Sequence, residues 1–330
     1  MAIVTREGGL DFWTLGALPL GVGLDLALGD PRGWPHPVRA VGALIRVAER
    51  GLRIVLARVG GGTSGESLAG VVLATVVVGV TAGLAWALTD MCDHLGGPAV
   101  LVGRGLLIYW GLAIRSLGEE TLRASEAPDL ATSRRELAMI VGRDTGRLDE
   151  AEIGRACVET IGENACDAVV APLFWLAMAG PAGLWAYKAI NTLDSMVGHR
   201  DARYLHLGRA SARLDDLANL VPARLTWLLI AIASAAIGED GAAAFRVGWR
   251  DGRKHESPNA AWGEAAMAGA LGVRLGGRAT YDGTPSDKPI LGDPGPPIDR
   301  STVRRAVLVM QVAALLAAGL ASVAQVLLRL

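Results

Sequence analysis

The sequence predicts an all-α fold of the polytopic integral membrane class, with about five to six membrane segments, some broken or re-entrant, and amphipathic helices at the interface. Three observations carry this. Hydrophobic residues make up 51% of the 330 and charged ones only 20%, and mean hydropathy is +0.35, too apolar for an average soluble domain. Several stretches reach the roughly 20 apolar residues that a spanning helix needs. Between Arg143 and Asn259, acids, amides and bases crowd against apolar segments. Glu163, Asp167, Lys188, Asp194 and Asp216 are costly near lipid and are therefore expected to serve chemistry or a pathway.

The segments follow in chain order. Residues 12–28 come after Arg6 and could pass for a signal peptide, but Asp25 interrupts them and no small-x-small cleavage site follows, so they read as a retained first segment. Residues 68–89 and 303–328 are clear spans. Residues 98–117 are nearly as apolar, with Arg104 and Arg115 facing protein or snorkelling to the interface. Residues 168–190 carry Gly180-Pro181-Ala182-Gly183 at their middle, and Pro costs about 3 kcal/mol inside a helix, so a broken or re-entrant helix is expected there. Residues 221–237 are a short further span. Residues 118–166 and 238–302 are large polar loops carrying helices, and 282–299, rich in Pro and Gly, is a long loop. The whole chain, 1–330, reads as one membrane-embedded catalytic domain, without tandem repeats.

The positive-inside rule orients part of this. Arg32, Arg39, Arg46, Arg50, Arg53 and Arg58 follow the first segment, whereas 90–97 has no Lys or Arg, so the former loop is expected in the cytoplasm, the N-terminus outside and 118–167 in the cytoplasm. Residues 199–219 and 238–300 are both arginine-rich. Single spans cannot put both inside, so one intervening segment must fail to cross or must return. The net charge of -1 and the lack of any basic tail exclude nucleic acid as a partner. Cys92, Cys157 and Cys166 have neither C-x-x-C nor disulfide-framework spacing and read as small core residues.

Four polar constellations stand out. At 100° per residue, Arg155, Glu159, Glu163 and Asp167 share one helical stripe that runs into Ala171-Pro172-Leu173-Phe174. Upstream, Asp149 is the expected N-cap with Glu152 as its capping-box partner, a structural role. Lys188, Asn191, Asp194 and Ser195 cluster next, with Trp185 and Tyr187 before them in the pattern of an interfacial belt, and His199-Arg200-Asp201 after them. Then come Arg209, Arg213, Asp215, Asp216 and Asn219, leading into Pro222-Ala223-Arg224. These are either ordinary helix-surface pairs or, as adjacent acids beside an amide, a site for a hard cation such as Mg²⁺. Finally, Arg253-Lys254-His255-Glu256-Ser257-Pro258-Asn259 precedes an apolar helix, with Ser257 expected as N-cap and Pro258 at the first position. The free N–H groups there, beside Lys254 and Arg253, would suit a phosphate. Neither a P-loop nor a Rossmann turn is present, so any nucleotide is held otherwise.

Taken in order, Gly29-Asp30-Pro31, Pro35-His36-Pro37-Val38-Arg39, Arg143-Asp144-Thr145, Glu159-Thr160-Ile161-Gly162-Glu163-Asn164, Asp167, Tyr187-Lys188-Ala189-Ile190-Asn191-Thr192-Leu193-Asp194-Ser195, Arg213-Leu214-Asp215-Asp216, Asn219, Pro222-Ala223-Arg224 and Ser257-Pro258-Asn259 resemble the cobalamin-biosynthesis membrane family that makes adenosylcobinamide phosphate, the CobD/CbiB family. The resemblance covers most of the chain and implies ATP-dependent amide formation between the carboxylate of adenosylcobyric acid and (R)-1-amino-2-propanol or its O-phosphate. It implies ATP and Mg²⁺ as cofactors, membrane lipid as surroundings, and a multi-pass location in the inner cell membrane with the site on the cytoplasmic side. A homo-oligomer, or contacts with other enzymes of the pathway, would be compatible with it. A carboxylate and an ammonium form a salt rather than an amide, so the acid must be activated and the amine deprotonated, which calls for Mg²⁺, phosphate-binding cations and a general base. The expected assignments are Asp215 and Asp216 to Mg²⁺, Lys188, Arg213 and Lys254 to phosphates, Glu163 or Asp194 to the amine proton, and Ser257 and Asn259 to orienting a phosphate. Glu159, Asn164, Asp167 and Asn191 complete the catalytic candidates, and His36, Asn219, Arg224 and His255 the binding ones. The alternatives are a transporter with its charges along a pathway through 168–190, or a non-catalytic anchor for corrinoid enzymes. Bunching of the polar residues at segment ends favours an interfacial active site.

Overall fold

A computed structural model describes residues 12–199, 201–281 and 283–328; Arg6, Arg200 and Asp282 lie outside them. Thirteen α-helices, one π turn and a β-hairpin are formed among the described residues. The chain runs through α1 (Phe12–Leu28), α2 (Pro37–Val59), α3 (Gly62–Leu95), α4 (Pro98–Tyr109), α5 (Ile114–Ser125), α6 (Leu130–Leu137) and α7 (Glu150–Ala165), then the π turn (Cys166–Val170). It continues through α8 (Ala171–Val197), α9 (Arg209–Ala218), α10 (Leu220–Ala236), α11 (Gly241–Asp251), α12 (Ala260–Leu271), β1 (Leu275–Tyr281), β2 (Thr284–Leu291) and α13 (Arg300–Leu327).

Among the described residues, Gly62–Leu95, Pro98–Ser125, Glu150–Val197 and Arg300–Leu327 are long and apolar enough to cross a membrane, α9 and α10 form a pair bent by 46°, and α1 is a shorter apolar helix. Leu68, Val72, Val76, Val80 and Leu84 of α3 are exposed along one side, an apolar face that suits lipid. Asp25 is tolerated in α1 because its carboxylate accepts the Ile114 and Arg115 backbone N–H groups, 3.0 and 3.2 Å away, at the start of α5. Arg104 pairs with Asp93, and Arg115 with Glu119.

The 48 residues of Glu150–Val197 would extend about 70 Å as one straight helix, over twice a bilayer core. They turn back instead. At Ala179 (φ -140°, ψ 20°) and Gly180 (φ 65°, ψ -163°) the backbone leaves the helix, and Pro181 opens the return leg as the first-turn residue it is suited to be. The Asn191 side-chain amide then donates to Asp167 across 3.1 Å, so residues 24 apart touch and α8 is a helical hairpin. The expected break at 180–183 is the turn of this hairpin.

The capping box of Asp149 and Glu152 forms as expected. Three local expectations are corrected. The Ser257 hydroxyl accepts the Asn259 N–H at 3.3 Å and donates to Asp216, but it stands ahead of the helix start: α12 begins at Ala260 with Asn259 in the cap position. Trp185 and Tyr187 are 3% and 1% exposed, so they are core residues and no interfacial belt; the Trp185 indole donates to Leu107 O. The first part of 282–299, expected as loop, is strand β2, paired antiparallel to β1. Its two prolines and charges hide the pattern, and anchoring from outside supplies the stability: Glu159, Asp251 and Asp144 carboxylates accept the N–H groups of Gly276, Gly292 and Gly283.

Helices α7 and α12 cross at a glycine contact. A Cβ on Gly263 would lie 2.1 Å from Gly162 O, and one on Gly162 would lie 2.8 Å from the Cα of Glu264. Only glycine at both positions lets the two backbones meet, and this brings Glu163 and Glu264 onto neighbouring surfaces.

Candidate functional site

The polar residues meet where the two legs of α8 open. Asp167 sits in the π turn, an insertion that shifts the side chain out of the regular α-helical stripe. Its Oδ2 accepts from Asn191 and its Oδ1 lies 3.2 Å from the Tyr187 hydroxyl. That hydroxyl also reaches Asn219 Oδ1 at 2.9 Å, and the Asn219 amide donates to Asp215 Oδ2 at 3.0 Å. Asn219 stands at the bend between α9 and α10 and is 3% exposed. The Cys166 thiol points to the same Asn219 oxygen at 3.7 Å, so this cysteine is a small core residue. Asp215 Oδ1 is buried with no hydrogen-bond partner. A buried acceptor without a donor is what an incoming cation or N–H group would satisfy.

Asp216, next along α9, serves a second group. It accepts the Ser257 hydroxyl at 3.2 Å, its backbone oxygen accepts the Asn259 amide at 2.7 Å, and Asn259 Oδ1 in turn accepts from Arg224 at 2.6 Å. The Arg224 guanidinium lies over the Trp262 ring, 4.8 Å from its centroid. Arg213, largely exposed, stands 3.8 Å from Asp216. Asp194 faces Asp216 from the return leg, with His199 and Glu163 further around it. Gly198 makes room for Asp194, since a Cβ there would fall 2.0 Å from Asp194 Oδ1.

Glu163 is exposed on the side of α7 that looks toward α12 and β2. Burial pushes the Glu264 carboxyl well above its ordinary range, and Glu163 and Glu159 add to this against Lys288 and Arg143. Lys288 is held up by Glu264 and Glu163 against the effect of its own burial. His255 is pushed down by burial and by Lys288, which favours the neutral ring. Its Nδ1 accepts the Ser257 N–H at 3.0 Å.

The structure thus joins Asp167, Asn191, Asn219 and Asp215 directly, and Asp216, Ser257, Asn259, Arg224 and Arg213 beside them, with Asp194, Glu163 and His255 around the edge. Lys188 faces Asp167 on one side and Asp30 on the other, which places His36, 3.4 Å from Asp30, at the far side of that lysine. Three candidates are engaged elsewhere. Glu159 is 2% exposed and bonds Arg143 and Gly276 N under the β-hairpin. Lys254 pairs with Asp251 at 2.6 Å and donates to Ile290 O. The Asn164 amide donates to Thr160 O of its own helix. Sequence reasoning passed over Tyr187, Asp30, Glu264 and Lys288. Tyr187 was hidden by its aromatic neighbour Trp185, and Glu264 is one acid within an apolar helix, a signal as strong as that of Asp167. Asp30 lay within Gly29-Asp30-Pro31, and Lys288 in a stretch read as loop.

Among the described residues no group of three or more His, Cys, Asp or Glu side chains could hold a metal by itself. Mg²⁺ commonly takes only one or two carboxylates and completes its shell with phosphate oxygens and water. The orphaned Asp215 Oδ1 fits that mode, whereas Asp216, committed to Ser257, points to a different group.

Comparison with known proteins agrees with the residue pattern. The family model described as CobD/Cbib protein matches residues 18–310. The chain is 45% identical over 305 residues to the cobalamin biosynthesis protein CobD of Klebsiella pneumoniae, covering 90% of this chain and 93% of that one. It is 48% identical over 303 residues to CobD of Geobacter metallireducens, covering 91% and 93%, and 45% identical over 303 residues to the cobalamin biosynthesis protein CbiB of Salmonella typhimurium, covering 90% and 93%. No solved structure matches.

Proposed function

The chain belongs to the CobD/CbiB family of cobalamin-biosynthesis proteins, and from that premise we propose that it is an ATP-dependent acid–amine ligase joining the free carboxylate of adenosylcobyric acid to (R)-1-amino-2-propanol or its O-phosphate. The observation that supports this best is the convergence of carboxylates, amides and guanidinium groups from α8, α9, α10 and the 255–259 turn on one polar centre. Amide formation needs an activated carboxylate, a cradle for the phosphates that activate it, and a base for the amine. In this reading Arg224, Arg213 and the Ser257–Asn259 turn hold phosphate oxygens. Asp215 contributes the carboxylate for Mg²⁺, whose charge would screen the phosphates during attack by the carboxylate. Tyr187, Asn191 and Asn219 fix Asp167, and Asp194 or Glu163 accepts the proton that the amine must lose. The α8 hairpin brings these groups together at its open end, and in this reading that end faces the cytoplasm and its ATP in the inner membrane.

The test is reconstitution of the full chain in lipid nanodiscs with ATP, Mg²⁺, the corrinoid acid carrying ¹⁸O in its free carboxylate, and the amine. A ligase gives ATP-dependent amide, with ¹⁸O delivered to the released phosphate or nucleotide. Amide that never forms, whatever the amine supplied, overturns the reading.

A further inference from the structure

A cavity of about 360 Å³, apart from the polar centre, lies between the α1–α2 turn, the α4–α5 break and the return leg of α8. Asp30, Trp34, His36, Arg39, Trp110 and Lys188 line it. We propose that it binds a small zwitterion carrying an ammonium at one end and a phosphate at the other, with Asp30 receiving the ammonium and Lys188 and Arg39 the phosphate.

The walls are built rigidly. The Tyr109 hydroxyl donates to Gly29 O at 2.7 Å, the Asp30 N–H donates to Ser116 Oγ at 2.7 Å, and Arg115 donates to the Leu26 and Ala27 carbonyls. Arg32 is bound to Glu120 and Glu136, and so is not offered to a ligand. What remains is Asp30 beside His36, and the two cations Lys188 and Arg39. Asp30 Oδ1 is buried and makes no hydrogen bond. His36 Nδ1 accepts the Val38 N–H, so the ring proton sits on Nε2; this atom is also buried and unbonded, and stands 3.4 Å from Asp30 Oδ1, longer than a hydrogen bond. Neither Lys188 nor Arg39 has a side-chain hydrogen bond or ion pair among the described residues. Buried polar atoms are rarely left unsatisfied, and one orphaned acceptor facing two free cations across a cavity matches an ammonium and an anion on one short molecule. Two cations match a phosphate better than a single negative charge, and the volume sits at the small end of ligand pockets.

The proposal deepens the ligase reading and rests on it for the identity of the ligand as the amine co-substrate. Lys188 faces both Asp30 and Asp167, so a ligand seated against Asp30 lies next to the polar centre. The same chemistry occurs in the headgroup of an ethanolamine phospholipid, and the experiment separates the two sources. Binding of aminopropanol phosphate to the full chain is measured by titration calorimetry in nanodiscs of purely anionic lipid, without ATP or corrinoid, and again with ethanolamine phospholipid included. The expected result is binding at least tenfold tighter than that of aminopropanol or inorganic phosphate alone, unaffected by the ethanolamine lipid. It falls at least tenfold in Asp30→Asn and in Arg39→Ala, with thermal unfolding unchanged in the exposed Arg39 variant. Equal affinity in both variants overturns the proposal, as does binding that disappears when the ethanolamine lipid is present, since the cavity is then a lipid site. If instead the wild-type chain binds the zwitterion here yet forms no amide, the ligase reading fails while the cavity assignment stands.

Discussion

Asn219 is the residue on which the polar centre turns. It accepts from Tyr187, donates to Asp215 and receives the Cys166 thiol while almost fully buried. Replacing it with Ala leaves the Asp215 carboxylate oxygen unmatched and the Tyr187 hydroxyl with Asp167 as its remaining acceptor, and a buried polar group left unmatched costs about 1–3 kcal/mol. Asn219→Ala is therefore expected to lower the thermal unfolding temperature in detergent and to reduce amide formation at least a hundredfold, whereas Asn164→Ala, which loses one bond to its own helix, should leave both close to wild type. Side-by-side melting and turnover measurements check this. The same contrast shows how much was legible. Amides and acids against apolar runs flagged Asp167, Asn191 and Asn219, because desolvation makes such residues expensive. Sequence could not show that Glu159 and Lys254 anchor the hairpin, since their partners Gly276 N and Ile290 O are backbone groups over 30 residues away. For Tyr187 and Glu264, apolar surroundings read as core.

At the level of elements, the apolar helices were legible from length and hydropathy, and the α8 break from its Gly-Pro pair. The β-hairpin was not, because it is held from outside. Asp251 shows how. Its burial alone would raise its pKa, yet Arg250, Lys254 and the Gly292 N–H outweigh that and hold the carboxylate at about 2, below its ordinary 3.8. A depressed folded-state value means the stabilisation is complete above the unfolded-state value and is lost as pH falls through about 2. Limited proteolysis with an acid-active protease should cut the β1–β2 hairpin increasingly as pH drops from about 4 toward 2, and Asp251→Asn should remove most of that dependence while raising cleavage at every pH. The α7–α12 crossing gives a second test. Gly263→Val would drive a side chain into Gly162 O, and overpacking of this kind costs about 1–3 kcal/mol or more; a lower unfolding temperature is expected, together with separation of Glu163 from Glu264.

For the whole molecule, the α8 hairpin accounts for one of the arginine-rich loops, 199–219. If the hairpin enters and leaves through one face, 118–167 and 199–219 share that face without a crossing between them, which a count of single spans could not provide. Single cysteines placed at Glu152 and Ser195 in a chain whose three native cysteines are replaced should therefore react with a membrane-impermeant maleimide from the same side. Labelling from opposite sides would mean that α7 and α8 cross once and that the polar centre is wrongly assembled. The central claim is that the centre at the mouth of this hairpin makes the amide. It is tested most directly by the rate of amide formation from the corrinoid acid and aminopropanol phosphate in reconstituted Asp167→Asn and Asp215→Asn chains, against Lys254→Gln as a control outside the centre. Loss of at least a hundredfold in both aspartate variants, with the control within a few-fold of wild type and all three chains folded, is the predicted result; near wild-type rates in both aspartate variants would contradict it.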